Sequence, residues 1–516
     1  MRRIHVLWGL AMMAAPSLAQ NYEQFPLENQ LTHRYLTEFT YDTIPDLHVS
    51  YIMDYYNTAT TYRKDQPAPV TLNWDTDLGA DEYRIVISEN RTLTDSIEYI
   101  QSKDSTVKTV FNLIPGRTYY YSIFSRSTQN GEFLIKNSAF QTTGMLRMIY
   151  AKGTHNVRDM GGWPGLGGHP IKYGQIYRGA RLIKEKSSEV LITQEGKKAL
   201  RDIGIRCEID LRSSSDVTSS VSALADKVNG EWDVEFYHFP NSVNARMYHY
   251  DANESNIQEI QTIINCLKKG IPVYYHCSMG ADRTGTLGFL IGALLGMSAG
   301  DLAKDYELTT FCEPYTGEPG FARLRNYEGK KGAPDNYSDP KEYMFAPLID
   351  KINPGTGQNS LQRKIYTFLK NGVNGTKITE ADLDWFIDYM VDYRIVKKVN
   401  VDKNRITLKV GDTQQLTGSF TPADATVQQI IWDTNDAAVA TVSETGLVTA
   451  VGTGSTYVKA IVDDLQKTVK VTVEAGTDGI GLIGPEKEEG QAYNLAGYES
   501  DKDGLYILDG KKYLSK

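Results

Sequence analysis

Between residues 47 and 144 apolar and polar positions alternate in short runs, as in "PVTLNWDTD", "EYRIVISEN" and "TVKTVFNLIPGRTYYYSIFSRS", each bounded by turn-forming residues. A period of two puts alternate side chains on opposite faces, so this stretch predicts the half-buried strands of a β-sandwich. After residue 145 the pattern changes. "EVLITQEGKKALRDIG" reads as a helix, "IRCEIDLRS" as a strand, "NIQEIQTIINCLKKG" as a helix and "IPVYYHC" as a buried strand. The apolar run "LGFLIGALLG", starting at Leu287, predicts a helix enclosed by a core. Strand–helix alternation implies a parallel sheet with flanking helices and a ligand site at the carboxyl ends of its strands. Helical patterns continue in "GDLAKDYELTTF", "SLQRKIYTFLKNG" and "TEADLDWFIDYMV", and strand patterns return over 395–474.

These patterns divide the chain into an apolar leader (1–19), an N-terminal segment (20–46), a sandwich (47–144), an α/β domain (145–394), a second sandwich (395–475) and a tail (476–516). The expected fold class is therefore multidomain, with a central α/β domain between two β-sandwich domains in chain order. With 516 residues the chain is too long for one core, which agrees with that division. The leader has a basic start, a short apolar run and a small-x-small end at Ser17-Leu18-Ala19, the form of a secretory signal too short to span a membrane. A formal charge of −9 without a basic stripe argues against nucleic-acid binding. Eight histidines lack metal-ligand spacing, so neither a metal nor another cofactor is expected.

The chemistry concentrates where the buried strand meets the helix, in His276-Cys277-Ser278-Met279-Gly280-Ala281-Asp282-Arg283-Thr284. A strand turning sharply into a helix aims unpaired N–H groups at one point, which attracts anions. A thiol there is acidified by the same donors, and an arginine fork matches two phosphate oxygens. Cys277 is thus the candidate nucleophile and Arg283 the phosphate clamp. Ser278, Met279, Gly280, Ala281 and Thr284 shape the phosphate site, and His276 supports the loop from behind. Asp282 or Asp251, the latter in "YHYDANES", is the candidate general acid. Asp210 and Arg212 either line the pocket from a strand end or form a buried ion pair. Arg158 and Asp159 form structural or pocket-rim pairs. The long stretch 313–358 carries Tyr315, Arg323, Arg325 and Tyr327, which suit a lid or a solvated loop.

The Cys-x5-Arg-Thr loop with its histidine prefix resembles the signature of the cysteine-dependent protein tyrosine phosphatase superfamily. "NVRDMGG" (156–162), "IYRGARL" (176–182) and "IRCEIDLRSSSD" (205–216), in order before the loop, resemble the bacterial tyrosine/serine phosphatase family. That resemblance implies a phosphocysteine mechanism on a phosphorylated protein or small phosphomonoester, with phosphotyrosine as the leading substrate and phosphoserine or phosphothreonine, a dual specificity, beside it. The in-loop aspartate is shared with myotubularin-like lipid phosphatases, which implies an inositol-phosphate or phosphoinositide alternative. Ala281, where many relatives carry lysine, weakens it. A non-catalytic surface binding protein is the reading from another class.

Residues 47–144 resemble a fibronectin type III domain through Trp74 and "LIPGRTYYYSI". Residues 395–475 resemble a bacterial immunoglobulin-like group 2 domain through "GDTQQL", "TPADAT", "IIWDTND" and "VATVSETGLVTAVGTGS". The tail "YNLAGYESDKDGLYILDGKKYLSK" resembles sorting tails of exported Bacteroidetes proteins and predicts two short strands turning at Asp509-Gly510. Together these imply export to the periplasm, surface or exterior of a Gram-negative bacterium, with glycan or protein contacts through the sandwich modules. Of the four cysteines, Cys207 and Cys277 are candidates for a reversible bridge that protects the nucleophile.

Overall fold

The computed structural model describes residues 22–38, 66–217, 219–225, 233–241, 254–312, 360–427, 429–463 and 465–475, with short strand fragments beyond 479. The leader, Asp251 and the 313–358 stretch with its Tyr315, Arg323, Arg325 and Tyr327 lie outside these residues. Two compact units meet between Tyr393 and Arg394.

The first unit contains two layered systems. In the sandwich, β1 (Glu23–Pro26), β7 (Gly131–Thr143), β6 (Thr118–Ser127), β3 (Glu82–Ser88) and β4 (Ile97–Ser102) form one sheet in that order. The smaller sheet pairs β2 (Val70–Asn73) with β5 (Val107–Val110). Alternation works as expected: Val70 and Leu72 face inward and Thr71 and Asn73 outward. Trp74 packs edge-on against Tyr83 in the core, ring centres 5.2 Å apart.

Residues 22–38, within the N-terminal segment, tie the sandwich to the α/β domain. β1 pairs in parallel with the edge strand β7. Glu28 Oε1 accepts the Met145 and Leu146 amides, both at 2.7 Å. Helix α1 (Gln30–Glu38) then delivers Tyr35 to Glu307 and the Leu36 carbonyl to Lys304 Nζ at 2.8 Å. Four residues reading "EQFP" show no alternation, so this edge strand left no signal in the pattern.

The α/β domain is built on a sheet ordered β11 (Glu235–His238), β10 (Cys207–Asp210), β12 (Val273–His276), β9 (Ile176–Gly179) and β8 (Arg158–Asp159). The first four strands run parallel, and β8 closes the edge antiparallel to β9. Every residue of β9, β10 and β12 is buried, the charged Arg178, Glu208 and Asp210 among them, as expected of strands covered on both faces. The first helix of this domain, α2 (Gln194–Asp202), is shorter than its sequence pattern predicts. Thr193 caps it by accepting the Gly196 amide at 3.1 Å, leaving "EVLI" outside. α3 (Glu254–Lys268) precedes β12, and α4 (Asp282–Leu294) follows the phosphate loop. α5 (Ala299–Glu307), α6 (Leu361–Asn371) and α7 (Glu380–Val391) complete the unit.

α4 starts at Asp282, five positions before the apolar run begins at Leu287. Asp282, Arg283 and Thr284 therefore occupy its first turn, where backbone donors are unpaired. Among the described residues no helix is long and apolar enough to cross a membrane.

The second unit is a β-sandwich whose main sheet comprises Arg405–Lys409, Leu465–Glu474, Gly454–Val462 and Ile431–Thr434, closed over Val448, Val458, Val469 and Val471. In the tail, Leu505–Leu508 and Lys511–Leu514 pair antiparallel, while Asp509-Gly510 lie outside the described residues.

Candidate active site

Cys277 follows the last residue of the central strand β12 and is 4% exposed. The chain then turns through Gly280, at φ +70°, into α4. The turn is held from outside by its carbonyls. The Arg181 amide donates to Ser278 O at 3.3 Å. Asn156 Nδ2 donates to Met279 O at 3.0 Å and to Gly280 O at 3.1 Å, and Arg178 Nη2 donates to Gly280 O at 3.0 Å. In a trans peptide the N–H points opposite its carbonyl, so carbonyls held outward leave the loop amides facing the concave side.

Burial pushes the Cys277 thiol up, but the Arg283 charge and hydrogen bonds from Thr284 outweigh it and leave the thiol below its usual value. Asp282 opposes them, which places its carboxyl within electrostatic reach of the sulfur. The buried Thr284 hydroxyl meets no conventional hydrogen-bond partner among the described residues, leaving it available to the sulfur. Arg283 is anchored by Nη1 to Leu211 O at 3.1 Å and remains partly exposed, as a clamp must. Ser278 and Met279 are also partly exposed, whereas Gly280, Ala281 and Thr284 are buried.

His276 lies behind the cup, fully buried. Nε2 is 3.0 Å from Glu208 Oε1, and Nδ1 is 3.1 Å from Cys277 O. Both partners are acceptors, so the ring carries two protons. Burial pushes its pKa down, yet Asp210 and Glu208 outweigh that and raise it. Glu208, Asp210 and His276 have the donor types of a metal site, with one atom from each within 4.8 Å of the others. Their atoms are already engaged, however. Glu208 Oε2 accepts Ser222 and the Ala223 amide, and Asp210 is gripped by Arg212 at 2.6 Å. The cluster is a satisfied charge network.

Two proposed substrate contacts sit elsewhere. Arg158 is completely buried, its Nε 2.8 Å from Asp305 Oδ1 and its Nη1 bonded to Asn156. Asp210, 1% exposed, forms the buried ion pair with Arg212. Both are behind the cup and act on its frame, not on a bound phosphate. Asp159 pairs with Arg147 at 3.1 Å.

The residues that sequence reasoning missed are the loop's outer braces. Asn156 reaches the loop carbonyls and Thr309, while Arg178 bridges Gly280 O and Asp305. Asp305, on α5, thereby joins Arg158 and Arg178. "NVRDMGG" and "IYRGARL" contain Asn156 and Arg178, so the signal was present as a motif but not as a contact.

Residues 149–353 match the tyrosine phosphatase family, and residues 395–473 match the bacterial Ig-like domain (group 2). A curated relative, "Putative tyrosine-protein phosphatase" of Cupriavidus necator, is 23% identical over 169 residues, covering 29% of this chain and 59% of the relative. The chain thus spans about three fifths of that relative's length. Among solved structures, domains 4 and 5 of the S-layer protein SbsC share 18% identity over 16% of this chain and 53% of theirs, TM-score 0.14. An intimin mutant of EHEC O157:H7 shares 22% over 19% of this chain and 54% of its own, TM-score 0.13. Likeness at those scores assigns nothing.

Proposed function

We propose that this chain, whose residues 149–353 match the tyrosine phosphatase family, is an exported phosphatase that hydrolyses phosphomonoesters through a phosphocysteine, with phosphotyrosine as its leading substrate. The observation that carries the reading is the acidified Cys277 thiol set beside Arg283 at the N-terminus of α4, within a loop whose Ser278, Met279 and Gly280 carbonyls are tied outward.

In the first step the Cys277 thiolate attacks phosphorus in line. The S–P bond forms as the bond to the alcohol or phenol oxygen breaks, and Asp282 supplies the proton to that oxygen. Arg283 and the loop amides bind the equatorial oxygens, where charge accumulates. In the second step water attacks phosphorus, Asp282 takes its proton, and the S–P bond breaks to release phosphate. Thr284 eases departure of the sulfur by donating to it. Asp251, the alternative acid, lies outside the described residues, and the choice between the two belongs to kinetics.

The test uses para-nitrophenyl phosphate under reducing conditions with a chelator present. Wild type should turn over and Cys277→Ser should not. No turnover by folded wild type would leave a binding protein as the reading, and turnover by Cys277→Ser would remove the phosphocysteine.

An inositol-phosphate or phosphoinositide substrate is the second reading, favoured by an acid carried within the loop. Ala281 is fully buried and offers the cup no cation, which supports the phosphotyrosine reading over it. A panel of phosphopeptides and inositol phosphates separates the two.

A further inference from the structure

The cysteines of the α/β domain are not equivalent. Cys277 belongs to the phosphate loop, and Cys312 Sγ faces the Leu308 carbonyl at 3.9 Å. The other two meet: Cys266 Sγ lies 3.6 Å from Cys207 Sγ, with both residues fully buried. Cys207 opens strand β10, and Cys266 sits in the last turn of α3. The two sulfurs are thus within about 1.5 Å of the ~2.05 Å of a disulfide.

A bridge from Cys207 to Cys277, the pairing expected from sequence, does not fit this geometry. Cys207 is in register with Val273, four residues before Cys277 on the neighbouring strand. At about 3.3 Å per residue that is roughly 13 Å along the strand, far beyond the reach of two side chains in a disulfide.

We infer that Cys207 and Cys266 are a disulfide-forming site that bonds α3 to β10 when a small-molecule disulfide such as oxidised glutathione is present, and that spares Cys277. The exchange balances as follows. Cys266 loses its proton to buffer base as the site opens; its sulfur lies 3.8 Å from Glu235 Oε2, a carboxylate already paired with Lys269. The Cys266 thiolate attacks one glutathione sulfur, giving a mixed disulfide and releasing one glutathione thiolate. Cys207, deprotonated in turn, attacks the Cys266 sulfur and releases the second. The two cysteines lose two electrons, and one oxidised glutathione becomes two thiols.

Burial of both sulfurs means that the reaction runs while the chain folds or while the end of α3 opens. The consequence is local. β10 also carries Glu208 and Asp210, the carboxylates around His276, so a bond at its first residue braces the frame behind the phosphate loop. A pair of thiols present only as packing would be indifferent to redox conditions.

The full chain is refolded in a glutathione redox buffer, free thiols are alkylated, and peptides are mapped by mass spectrometry. One disulfide-linked peptide joining Cys207 to Cys266 is expected, with Cys277 and Cys312 alkylated. In parallel, wild type should lose roughly 5–10 °C of thermal midpoint when reductant is added after oxidation. The Cys207→Ser/Cys266→Ser variant should show no redox-dependent shift, and oxidised wild type should keep its turnover of para-nitrophenyl phosphate without reductant. Full alkylation of Cys207 and Cys266 after oxidative refolding overturns the inference, and so does a bridge that recruits Cys277. Failure of turnover under every condition would count against the proposed function while leaving the peptide map able to decide the bridge.

Discussion

Substituting Gly280 by alanine tests whether the loop geometry, and not merely the thiol, makes the site. Gly280 has φ +70°, and a Cβ there would stand 2.5 Å from the Gly179 carbonyl carbon, still closer to its oxygen, and 2.9 Å from Asn156 Nδ2. Gly179 ends strand β9 in the middle of the sheet, so it cannot yield. The loop must move instead, by roughly 1 Å to reach ordinary contact near 3.5 Å. The left-handed backbone adds about 1–2 kcal/mol of strain. A displacement of that size in groups that position phosphorus costs on the order of 100-fold in rate.

Gly270 supplies the control. It has φ +73° but nothing within 4 Å of a built Cβ, so Gly270→Ala carries the backbone strain without the clash. Both variants should lose about 1–2 kcal/mol of stability from strain alone, read by urea unfolding. Only Gly280→Ala should lose ~100-fold in kcat/KM on para-nitrophenyl phosphate. If Gly280→Ala retains kcat/KM within about threefold of wild type, positioning by the loop is not what the site depends on, and the reasoning fails.

Other consequences follow from the buried charges. Asp305→Asn removes the carboxylate shared by Arg158 and Arg178 and should cost about 3–5 kcal/mol in urea unfolding; a loss below ~1 kcal/mol would contradict the bracing role. Iodoacetamide labelling of Cys277 should have its pH midpoint below the usual thiol value of 9.0, because Arg283 and Thr284 stabilise the anion more than burial disfavours it. Arg283→Ala should move that midpoint upward, and an unchanged midpoint would remove Arg283 as the cause. Asp282→Asn should slow phenyl phosphate, with its poor leaving group, by roughly 100-fold more than a dinitrophenyl ester. Equal losses on both would transfer the acid role away from Asp282.

Much of the site was legible because its chemistry is contiguous. Cys277, Asp282, Arg283 and Thr284 fall within eight residues at a strand-to-helix junction, and local pattern is what a sequence displays best. The start of α4 was harder to see. Asp282 to Gly285 are polar or small, so apolar periodicity begins only at Leu287, although the helix already starts at Asp282, with Ala281 at its cap position offering no side-chain cap. The braces were invisible for another reason. Asn156 meets Thr309 across 153 residues and Arg178 meets Asp305 across 127, and no local rule pairs them. Asp305 in particular looked like one more polar position of an amphipathic helix. The same limit applied to Cys207, whose partner, 59 residues away, is set by how α3 lies on β10.

The pairing of these buried groups bears on what the cup can hold. Arg147 is matched by Asp159, Arg212 by Asp210, and Arg158 and Arg178 share Asp305. Arg178 also donates to the Gly280 carbonyl, so that group keeps one net positive charge behind the loop, and His276 is matched by Glu208. Among the described arginines around the loop, Arg181 lies 3.2 Å from Glu185, whereas Arg283 is tied to a carbonyl on the frame, which leaves its charge for a phosphate. One cation plus neutral amides complements a single phosphate dianion. An inositol ring bearing several phosphates would ask for further cations at the rim, and among the described residues neither buried Ala281 nor the paired arginines supply them. That charge count is the physical reason why a single phosphomonoester suits the described cup better than a polyphosphorylated ring.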